Sequence, residues 1–416
     1  MNDKTNLERP TLLFISHVIP IKPSSGQQQR ILQMVTHARK YFKVIFLTYS
    51  LKKNINEIKE KMESIVDECI VLPSIYNQNF IFKLWFTLIS LFFIFKTGLK
   101  KSNFIIGKLE LTKKRISNAL QNKSVDIVIY EYWHATESSD YFKKLSIPVI
   151  LDMHDRLSSA YKIELSRNKK IPKILKERFI KQYHLEEQWA WSQFDGIIAI
   201  NKLEFEEVRK QNNNQELFFC PMGIDLDFWA YSYNPVTPIR FGFYGGLGSA
   251  PNHIQALKTI KDIMPLVWNE MPESELWLIG NNPNDELIQF SKIDPRIVVT
   301  GFIEDVRSIL SSITVIFCPW EGVFGFRSRI VELMALGIPV IASPDAIEGM
   351  GIKNGFGVLI AKSFEEFSNK GIEIASNFAY AKQLSINARS EVDSLFSADK
   401  TYGNLFRDIK SLIKVK

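Results

Sequence analysis

The sequence predicts an α/β protein with two doubly wound parallel sheets, each in its own domain. Short apolar strands alternate with longer helical segments along the chain, a pattern that favours parallel sheets covered by helices. The 416 residues exceed what one ordinary hydrophobic core holds, so two domains are expected. A polar stretch with Pro235 and Pro238, at residues 225–238, divides the chain. We therefore expect two domains facing each other across a cleft, with ligands bound beyond the carboxyl ends of the strands.

Apolar segments in both halves are interpreted as strands. Those in the first half lie at residues 12–16, 44–48, 127–130, 149–152 and 196–200. Those in the second half lie at residues 240–243, 276–279, 297–300, 315–318, 340–343 and 358–360. Between the first two strands the spacing predicts an amphipathic helix, with one face formed by Ile31, Leu32, Val35, Ala38 and Phe42. The predicted domains are residues 1–225 and 239–390, joined by a linker at 226–238. A C-terminal helix within 391–416 is expected to pack back towards the N-terminal domain.

The composition describes a globular protein with a basic surface. Hydrophobic residues make up 46% of the chain and charged residues 23%, which excludes an extended disordered chain. The formal charge of +7 and the pI of about 9.0 point to an anionic partner such as a nucleotide, a lipid headgroup or a nucleic acid. Cys69, Cys220 and Cys318 lack metal-ligand spacing, and the N-terminus lacks an export-signal pattern. A reducing, cytoplasmic location is therefore expected.

Two segments of the first half are candidates for membrane contact. Residues 80–95 are apolar on all sides, and Lys96, Lys100 and Lys101 follow them. A membrane-spanning helix needs roughly 20 such residues, so this one is either buried in the core or lies in a lipid interface. Residues 167–181 hold seven Lys or Arg against the single acid Glu177, which suits a solvated face as well as an anionic surface. Peripheral contact with the inner face of the cell membrane would use residues 80–101 and 167–181.

The most informative segment is residues 325–340, which follow a buried-looking strand at 315–318. It predicts a helix with Arg327 and Arg329 in its first turn and Glu332 one turn later. A helix N-terminus carries unpaired N–H groups and partial positive charge, so two guanidinium groups beside it make a site for a diphosphate. The carboxylate can accept from two neighbouring hydroxyls, as a ribose offers. This pattern indicates a nucleotide site.

A glycine-rich loop at residues 241–252 follows a strand and precedes a helix. Gly245, Gly246 and Gly248 would let backbone N–H groups face phosphates. The spacing matches neither the dinucleotide fingerprint nor the P-loop, which argues against both of those nucleotide sites. Asp225 and Asp227 are spaced like a metal-binding pair, but they open the interdomain linker, and no metal is expected there.

In the first half, two loops after strands carry polar groups. Gly26 opens a helix behind a loop with Pro20 and Pro23, and Arg30 follows one turn later, where it could face the cleft. Residues 152–155 end a strand and place His154 between two aspartates that could orient or charge it. A satisfied polar turn would have the same sequence, so both interpretations of residues 152–155 stay open.

Together these segments resemble the group 1 (family 4) glycosyltransferases, whose GT-B fold consists of two Rossmann-like domains. The resemblance covers most of the chain and is most specific in the second half. The matching motifs there are the loop ending Pro251-Asn252, Gly301-Phe302, Cys318-Pro319, residues 325–340 and Glu348-Gly349. Residues 221–225 resemble the family's asparagine-glycine-valine-aspartate link, and the Gly26 and 152–155 loops look like its acceptor-side loops.

The resemblance implies roles for the matching residues. Glu332 would bind the donor's ribose, Arg327 and Arg329 would hold its diphosphate, and the phosphates would lie against Gly245, Gly246 and Gly248. His154 matches the histidine that donates to the sugar, so the implied catalytic residues are His154, Arg327 and Arg329. The implied acceptor-side residues are Gly26, Arg30 and Asp155.

The implied reaction is transfer of a sugar from a nucleotide-diphosphate sugar to a glycan or lipid-linked acceptor, with retention of anomeric configuration. The nucleotide-sugar is a substrate, no metal or other cofactor is expected, and no nucleic acid is a partner. The expected setting is biosynthesis of a cell-surface polysaccharide or lipopolysaccharide. A nucleotide-sugar 2-epimerase and a non-catalytic nucleotide-sugar-binding relative remain alternatives.

One position departs from the family pattern. An acidic residue that contacts the sugar often stands eight positions before the ribose-binding glutamate, and here that position is Phe324. Glu321 lies three residues earlier. The departure leaves the identity of the donor sugar open.

Overall fold

A computed structural model describes residues 9–21, 25–76, 80–97, 109–211, 215–322 and 326–413. The chain forms two compact units. The N-terminal unit holds residues 1–221 and 401–416, and the C-terminal unit holds residues 222–400. Each unit contains one parallel sheet.

The sheet of the N-terminal unit has the order β3-β2-β1-β4-β5-β6-β7, with all strands parallel. Its strands are β1 (Thr11–Ile15), β2 (Lys43–Ser50), β3 (Glu68–Pro73), β4 (Ile127–Glu131), β5 (Val149–Asp152), β6 (Gly196–Ala199) and β7 (Glu216–Phe219). The central strands β4, β5 and β6 are buried along their whole length, as expected for strands covered on both faces.

The α-helices of this unit are α1 (Gly26–Ala38), α2 (Ile55–Glu63), α3 (Phe80–Thr97), α4 (Lys113–Ala119), α5 (Ser139–Lys143), α6 (Leu157–Arg167), α7 (Lys173–Trp191) and α8 (Lys202–Gln211). Short 3₁₀ turns lie at Lys52–Asn54 and Trp133–Ser138. The apolar face predicted for the first helix is observed, since α1 buries Ile31, Val35 and Ala38. Its N-terminus is capped by Ser25, whose hydroxyl accepts from the N–H of Gln28.

Two strands of this sheet are not among the predicted ones. β3 and β7 are the edges of the sheet, and their residues are mostly half-buried or exposed. An edge strand covered by fewer neighbours does not need a continuous apolar run, so its sequence resembles a loop.

The sheet of the C-terminal unit has the order β10-β9-β8-β11-β12-β13, again fully parallel. Its strands are β8 (Arg240–Tyr244), β9 (Glu275–Ile279), β10 (Ile297–Val299), β11 (Val315–Cys318), β12 (Val340–Ala342) and β13 (Val358–Ile360). The predicted strands of this half all occur within a residue or two of these bounds. Both sheets confirm the predicted α/β class with two doubly wound domains.

The α-helices of the second half are α9 (Ala250–Lys258), α10 (Met264–Glu270), α11 (Asp285–Ile293), α12 (Arg307–Ser311), α13 (Ser328–Leu336), α14 (Pro344–Ile347), α15 (Phe364–Ser376), α16 (Phe378–Leu395) and α17 (Ala398–Ser411). A π-helical turn at Thr259–Ile263 joins α9 to α10. The core of the unit includes the stacked rings of Phe241 and Phe317, 5.5 Å apart.

The segment predicted as a linker, residues 226–238, is part of the C-terminal unit. Arg389 donates to the carbonyl oxygens of Leu226 and Trp229 at 3.2 and 2.6 Å. The Tyr231 hydroxyl bonds Ser385 at 2.8 Å. These contacts hold the segment against its own unit, so the stretch predicted as a linker lies inside the C-terminal unit. The chain instead passes between units at 221/222 and 400/401, and in the N-terminal unit the ring of Phe406, on the last helix, contacts Phe42 at 6.0 Å.

Helix α3 settles the alternative that the sequence left open for residues 80–95. Only Phe86 among its described side chains is buried, at 7% exposure, with its ring 4.4 Å from Tyr76. The other large apolar side chains between Phe80 and Phe92 are mostly exposed, so the interpretation of α3 as a core helix is wrong. Among the described residues, no helix is long and apolar enough to cross a membrane.

Gly337 ends α13 in the left-handed region, at φ +82°, and a Cβ there would lie 2.3 Å from the Tyr231 ring. Gly301 has a similar φ of +68° but no atom within 4 Å of a Cβ. We expect Gly301→Ala to cost only the conformational strain of roughly 1–2 kcal/mol, and Gly337→Ala to cost clearly more because Tyr231 must move. Urea unfolding of both variants measures the difference, and equal losses would contradict the close packing of Tyr231.

Candidate functional site

Three side chains meet where β8 ends and α13 begins. Arg329 donates to the Glu332 carboxylate at 2.7 Å and to the Tyr244 hydroxyl at 2.6 Å. The Tyr244 hydroxyl in turn donates to the same Glu332 oxygen at 3.0 Å. Tyr244 is the last residue of β8, and β11, which precedes α13 in the chain, pairs with β8. The trio therefore lies at the carboxyl edge of the C-terminal sheet, where ligands of doubly wound sheets bind.

Glu332 is only 2% exposed, and its two oxygens differ. Oε2 receives both hydrogen bonds, whereas Oε1 has no hydrogen-bond partner among the described residues. A buried carboxylate oxygen without a donor costs free energy until a donor reaches it. The arrangement therefore leaves one acceptor available to a hydroxyl of a ligand.

The local charges favour the cationic form of Arg329. Burial alone would lower the pKa of the Arg329 guanidinium, but the carboxylate of Glu332 and the Tyr244 oxygen raise that pKa above its ordinary value. Burial, and next the negative charge of Glu332, raise the pKa of Tyr244 well above its usual range. Arg329 keeps its charge, and 31% of its side-chain surface is accessible to solvent. It can therefore attract an anion while it is bound to Glu332.

Arg327 lies just before the helix and not in its first turn as predicted, because α13 begins at Ser328. Its guanidinium donates to the carbonyl oxygen of Gly322 at 3.1 Å and lies 5.7 Å from the centre of the Trp320 ring. The two arginines thus stand immediately before and after Ser328, the first residue of the helix. Phe324 and Gly325, which the sequence analysis singled out, lie outside the described residues. Glu321 is exposed and forms an ion pair with Lys258.

The glycine-rich loop follows Tyr244 and packs against neighbouring loops. Asn252 donates to the Gly246 carbonyl at 3.1 Å and accepts from the Trp320 indole at 3.1 Å. A Cβ on Gly248 would lie 2.7 Å from the carbonyl oxygen of Asn282, and one on Gly280 would lie 1.7 Å from that of Gly245. These close approaches need glycine. Gly245 therefore directly follows Tyr244 at the end of β8, and Asn252 links Gly246 to Trp320.

Asp225 has a local structural role. Its Oδ1 accepts from the N–H groups of Asp227 and Phe228, both at 3.0 Å. This side chain closes a turn in the manner common for aspartate.

In the N-terminal unit, Arg30 and Asp152 form a buried ion pair. Arg30 donates to both Asp152 oxygens, at 2.7 and 3.0 Å, and to the Cys220 carbonyl at 3.0 Å. The side chains are 1% and 0% exposed. Burial would raise the pKa of Asp152, but Arg30 holds it below its usual range. The expectation that Arg30 faces a ligand is therefore wrong, because its donors are directed at groups inside the unit.

His154 lies in the same buried cluster. It has a left-handed backbone, with φ +56°, and its Nε2 bonds the Glu131 carboxylate at 2.5 Å. Its ring stacks on Tyr132 at 4.1 Å with an angle of 6° between the planes. Burial lowers the pKa of His154, but the carboxylates of Asp152 and Glu131 outweigh it and raise that pKa. Burial, with the charge of Asp152, raises the pKa of Glu131.

Glu131 was not identified from the sequence. It is the last residue of β4 and lies opposite Asp152 in the parallel register of β4 and β5. An acid at matching ends of neighbouring strands is a signal that could have found it. One oxygen or nitrogen from each of Glu131, Asp152 and His154 lies within 4.8 Å of the others, a spacing that a metal ion could use. Arg30 supplies positive charge directly to Asp152 in this cluster.

The remaining acceptor-side residues lie near this cluster in sequence but have other environments. Gly26 is the exposed first residue of α1. Asp155 is half-buried, and its N–H bonds the Met153 carbonyl at 2.7 Å. A separate cavity of about 270 Å³ in this unit is lined by other residues, among them Lys113, Trp133 and Trp189.

The buried ion pair predicts a specific loss of stability. Arg30→Met leaves Asp152 charged and without its partner, so we expect the free energy of unfolding to fall by about 3–5 kcal/mol. Arg39→Met is the matched control, because Arg39 is 40% exposed and bonds Asp67 at 3.3 Å, and such pairs contribute at most about 1 kcal/mol. Urea unfolding at neutral pH measures both. Equal small losses would contradict the buried pairing of Arg30.

Comparison with known proteins supports the assignment of this fold. Residues 238–377 match the family model described as Glycosyl transferases group 1. Comparison with curated proteins by sequence finds no match.

Solved structures of similar fold cover nearly the whole chain. Sucrose-phosphate synthase from Thermosynechococcus elongatus has a TM-score of 0.66 and 16% identity, covering 97% of this chain and all of its own. A glycosyltransferase from Rickettsia africae has a TM-score of 0.65 and 15% identity, covering 98% of this chain and all of its own. Anabaena Alr3699/HepE, solved with UDP and glucose, has a TM-score of 0.63 and 13% identity, covering 96% of this chain and 99% of its own. Residues 238–377 are therefore similar to the group 1 glycosyltransferases, and nearly the whole chain shares the two-sheet fold of these solved structures.

Proposed function

We propose that the chain transfers a sugar from a nucleotide-diphosphate sugar to a glycan or lipid-linked acceptor, with retention of anomeric configuration. The observation that carries the proposal is the Arg329–Glu332–Tyr244 trio at the carboxyl edge of the C-terminal sheet. It offers one partly exposed cation, one buried acceptor oxygen and a helix start within the segment that matches the family model.

In this proposal the donor's diphosphate binds at the start of α13. Arg327 and Arg329 lie on either side of Ser328 in the chain, and the start of the helix contributes partial positive charge. The glycine-rich loop after β8 provides backbone without side chains beside the same edge, at Gly245, Gly246 and Gly248. UDP in the Anabaena structure is one example of such a ligand bound to a protein of this fold.

The ribose is assigned to Glu332. A hydroxyl that donates to Oε1 would satisfy the one carboxylate oxygen that lacks a donor, and the Arg329 bond holds the other oxygen in place. A ligand without a hydroxyl at this position would leave the buried oxygen without a donor. The site would therefore bind a nucleotide with its ribose hydroxyls much more tightly than one that lacks them.

The chemical step requires stabilisation of the departing diphosphate. Fixed guanidinium groups and helix N–H groups stabilise that charge, and losing one such donor typically costs about 3 kcal/mol, or roughly a hundredfold in kcat. With retention, the leaving phosphate can accept the proton of the attacking hydroxyl, so no separate protein base is needed. We assign His154 to the donor sugar, with Glu131 as the residue that orients its ring. Gly26 and Asp155 remain assigned to the loops that would bind the acceptor.

The proposal includes no metal and no other cofactor. The positive charge that a diphosphate needs is supplied by Arg327 and Arg329, and Asp225 is committed to a turn. We further propose a cytoplasmic enzyme of cell-surface polysaccharide or lipopolysaccharide biosynthesis. The buried free thiols of Cys69, Cys220 and Cys318 are compatible with a reducing compartment.

The function is tested by incubating the protein, in excess EDTA, with radiolabelled nucleotide-sugars in the presence and absence of a panel of glycan and lipid-linked acceptors. We expect release of nucleoside diphosphate and a labelled product only when acceptor is present, with the anomeric configuration of the donor kept by NMR. Epimerised donor without acceptor would identify an epimerase instead. Nucleotide binding with no product over the panel would identify a non-catalytic relative, and loss of activity in EDTA would overturn metal independence.

Replacing Arg329 and replacing Glu332 should change different kinetic constants. Arg329→Met removes charge at the diphosphate, so kcat should fall roughly a hundredfold. Glu332→Gln keeps the shape and mainly weakens ribose binding, so the KM for the donor should rise by about tenfold or more with a smaller change in kcat. Lys258→Met, which removes the partner of exposed Glu321, is the control and should leave both constants within about twofold. An unchanged donor KM in Glu332→Gln would mean that the ribose is held elsewhere.

A further inference from the structure

Helix α3 presents a continuous apolar stripe on one side. The exposed large apolar residues of the helix, at 41–77% exposure, are Phe80, Ile81, Phe82, Leu84, Trp85, Leu88, Leu91 and Phe92. Positions 81, 84, 85, 88 and 92 recur at the spacing of one helical face. Phe86, the buried residue, lies on the opposite side, about 140° around the helix from Ile81 at 100° per residue. The helix is therefore attached by one side and leaves the most apolar side uncovered.

The stripe is longer and more apolar than the scattered apolar residues of an ordinary surface. The stripe from Phe80 to Phe92 extends about 20 Å at 1.5 Å per residue. Contiguous exposed apolar surface of this kind marks a site for a partner or a membrane. Since only one side is apolar and exposed, a helix lying in the plane of an interface fits better than a helix that crosses a bilayer.

Helix α7 lies next to α3 and adds both apolar and cationic groups. Ile174 is 80% exposed, and Trp189 near the other end of the helix is also exposed. The lysines and arginines of residues 167–181 outnumber the single acid, Glu177, by seven to one. Glu177 itself is exposed and near Lys173, at 4.0 Å. This part of the surface is therefore strongly basic.

The combination of stripe and charge selects one class of partner. Protein interfaces have few lysines in their core, whereas apolar and aromatic side chains beside exposed lysines suit the acyl boundary and headgroups of an anionic bilayer. A second copy of the chain packed about a two-fold axis would bring the same basic run against itself, which like-charge repulsion disfavours.

We propose that the α3 stripe and the basic segment 167–181 form a docking surface for an anionic phospholipid bilayer, with α3 lying in the plane of the headgroup region. The apolar side chains would enter the acyl boundary and the lysines would contact phosphate or carboxylate headgroups. Lys100 and Lys101, which the sequence analysis assigned to the same surface, lie outside the described residues. The proposal is independent of the reaction that the protein catalyses.

The test is co-sedimentation of the full chain with large unilamellar vesicles. We expect at least tenfold tighter binding to phosphatidylcholine vesicles that contain about 30% phosphatidylglycerol than to phosphatidylcholine alone. Binding to the anionic vesicles should weaken when salt is raised from about 50 to 500 mM. The Trp85 fluorescence, isolated by subtracting the spectrum of Trp85→Phe, should shift to shorter wavelength on binding, because Trp85 is exposed in the free protein.

Matched variants assign the binding to this surface. Leu84→Ser with Leu88→Ser, and separately Lys173→Glu with Lys181→Glu, should each weaken vesicle binding at least tenfold. The controls are Ile293→Ser, at an apolar residue of the C-terminal unit that is even more exposed, and Lys292→Glu beside it. Both should leave binding unchanged. All replaced side chains are exposed, and circular dichroism melting checks that the variants fold.

Three outcomes would overturn the proposal. The first is equal binding to both vesicle types or to neither. The second is binding that the α3 and α7 variants leave unchanged. The third is a dimer in analytical ultracentrifugation that Leu84→Ser with Leu88→Ser abolishes, since that would make a second copy the occupant of the stripe.

Discussion

The bond between Arg329 and Glu332 is the interaction on which the candidate site depends. It joins two neighbouring turns of α13, and Tyr244 extends it to β8, so one hydrogen-bonded group links helix and strand at the carboxyl edge of the sheet. A buried Glu332 needs its cation, while a partly exposed Arg329 still reaches solvent. The same pair therefore stabilises the fold and leaves a charge and an acceptor oxygen for a ligand.

Much of this could be predicted from the sequence, for identifiable reasons. Strands buried on both faces are continuous apolar runs, so β4, β5, β11 and most others were found, and the residues of the α13 segment are close together in the chain. The edge strands β3 and β7 were not found, since their exposed positions break the run. Side-chain partners distant in sequence could not be predicted either. Arg30 resembled a ligand-binding residue, but its partner Asp152 is 122 positions away.

The same limit applies to Glu131 and to α3. The bond from His154 to Glu131 depends on the register of β4 and β5, which places Glu131 opposite Asp152. Whether α3 is buried depends on how much of it other elements cover, and its apolar sequence is compatible with either outcome. The two units consequently differ in chemistry: the C-terminal unit offers an accessible charge at a helix start, and the N-terminal unit holds a buried network of two acids, a histidine and an arginine.

The measurement that tests the central claim most directly is a crystal structure of the protein with a nucleoside diphosphate, selected by a thermal-shift screen across nucleotides. The account predicts the diphosphate against the start of α13, with Arg327 and Arg329 on its oxygens and a ribose hydroxyl within hydrogen-bond distance of Glu332 Oε1. A nucleotide bound away from α13, or one whose ribose leaves Glu332 Oε1 without a donor, would contradict it.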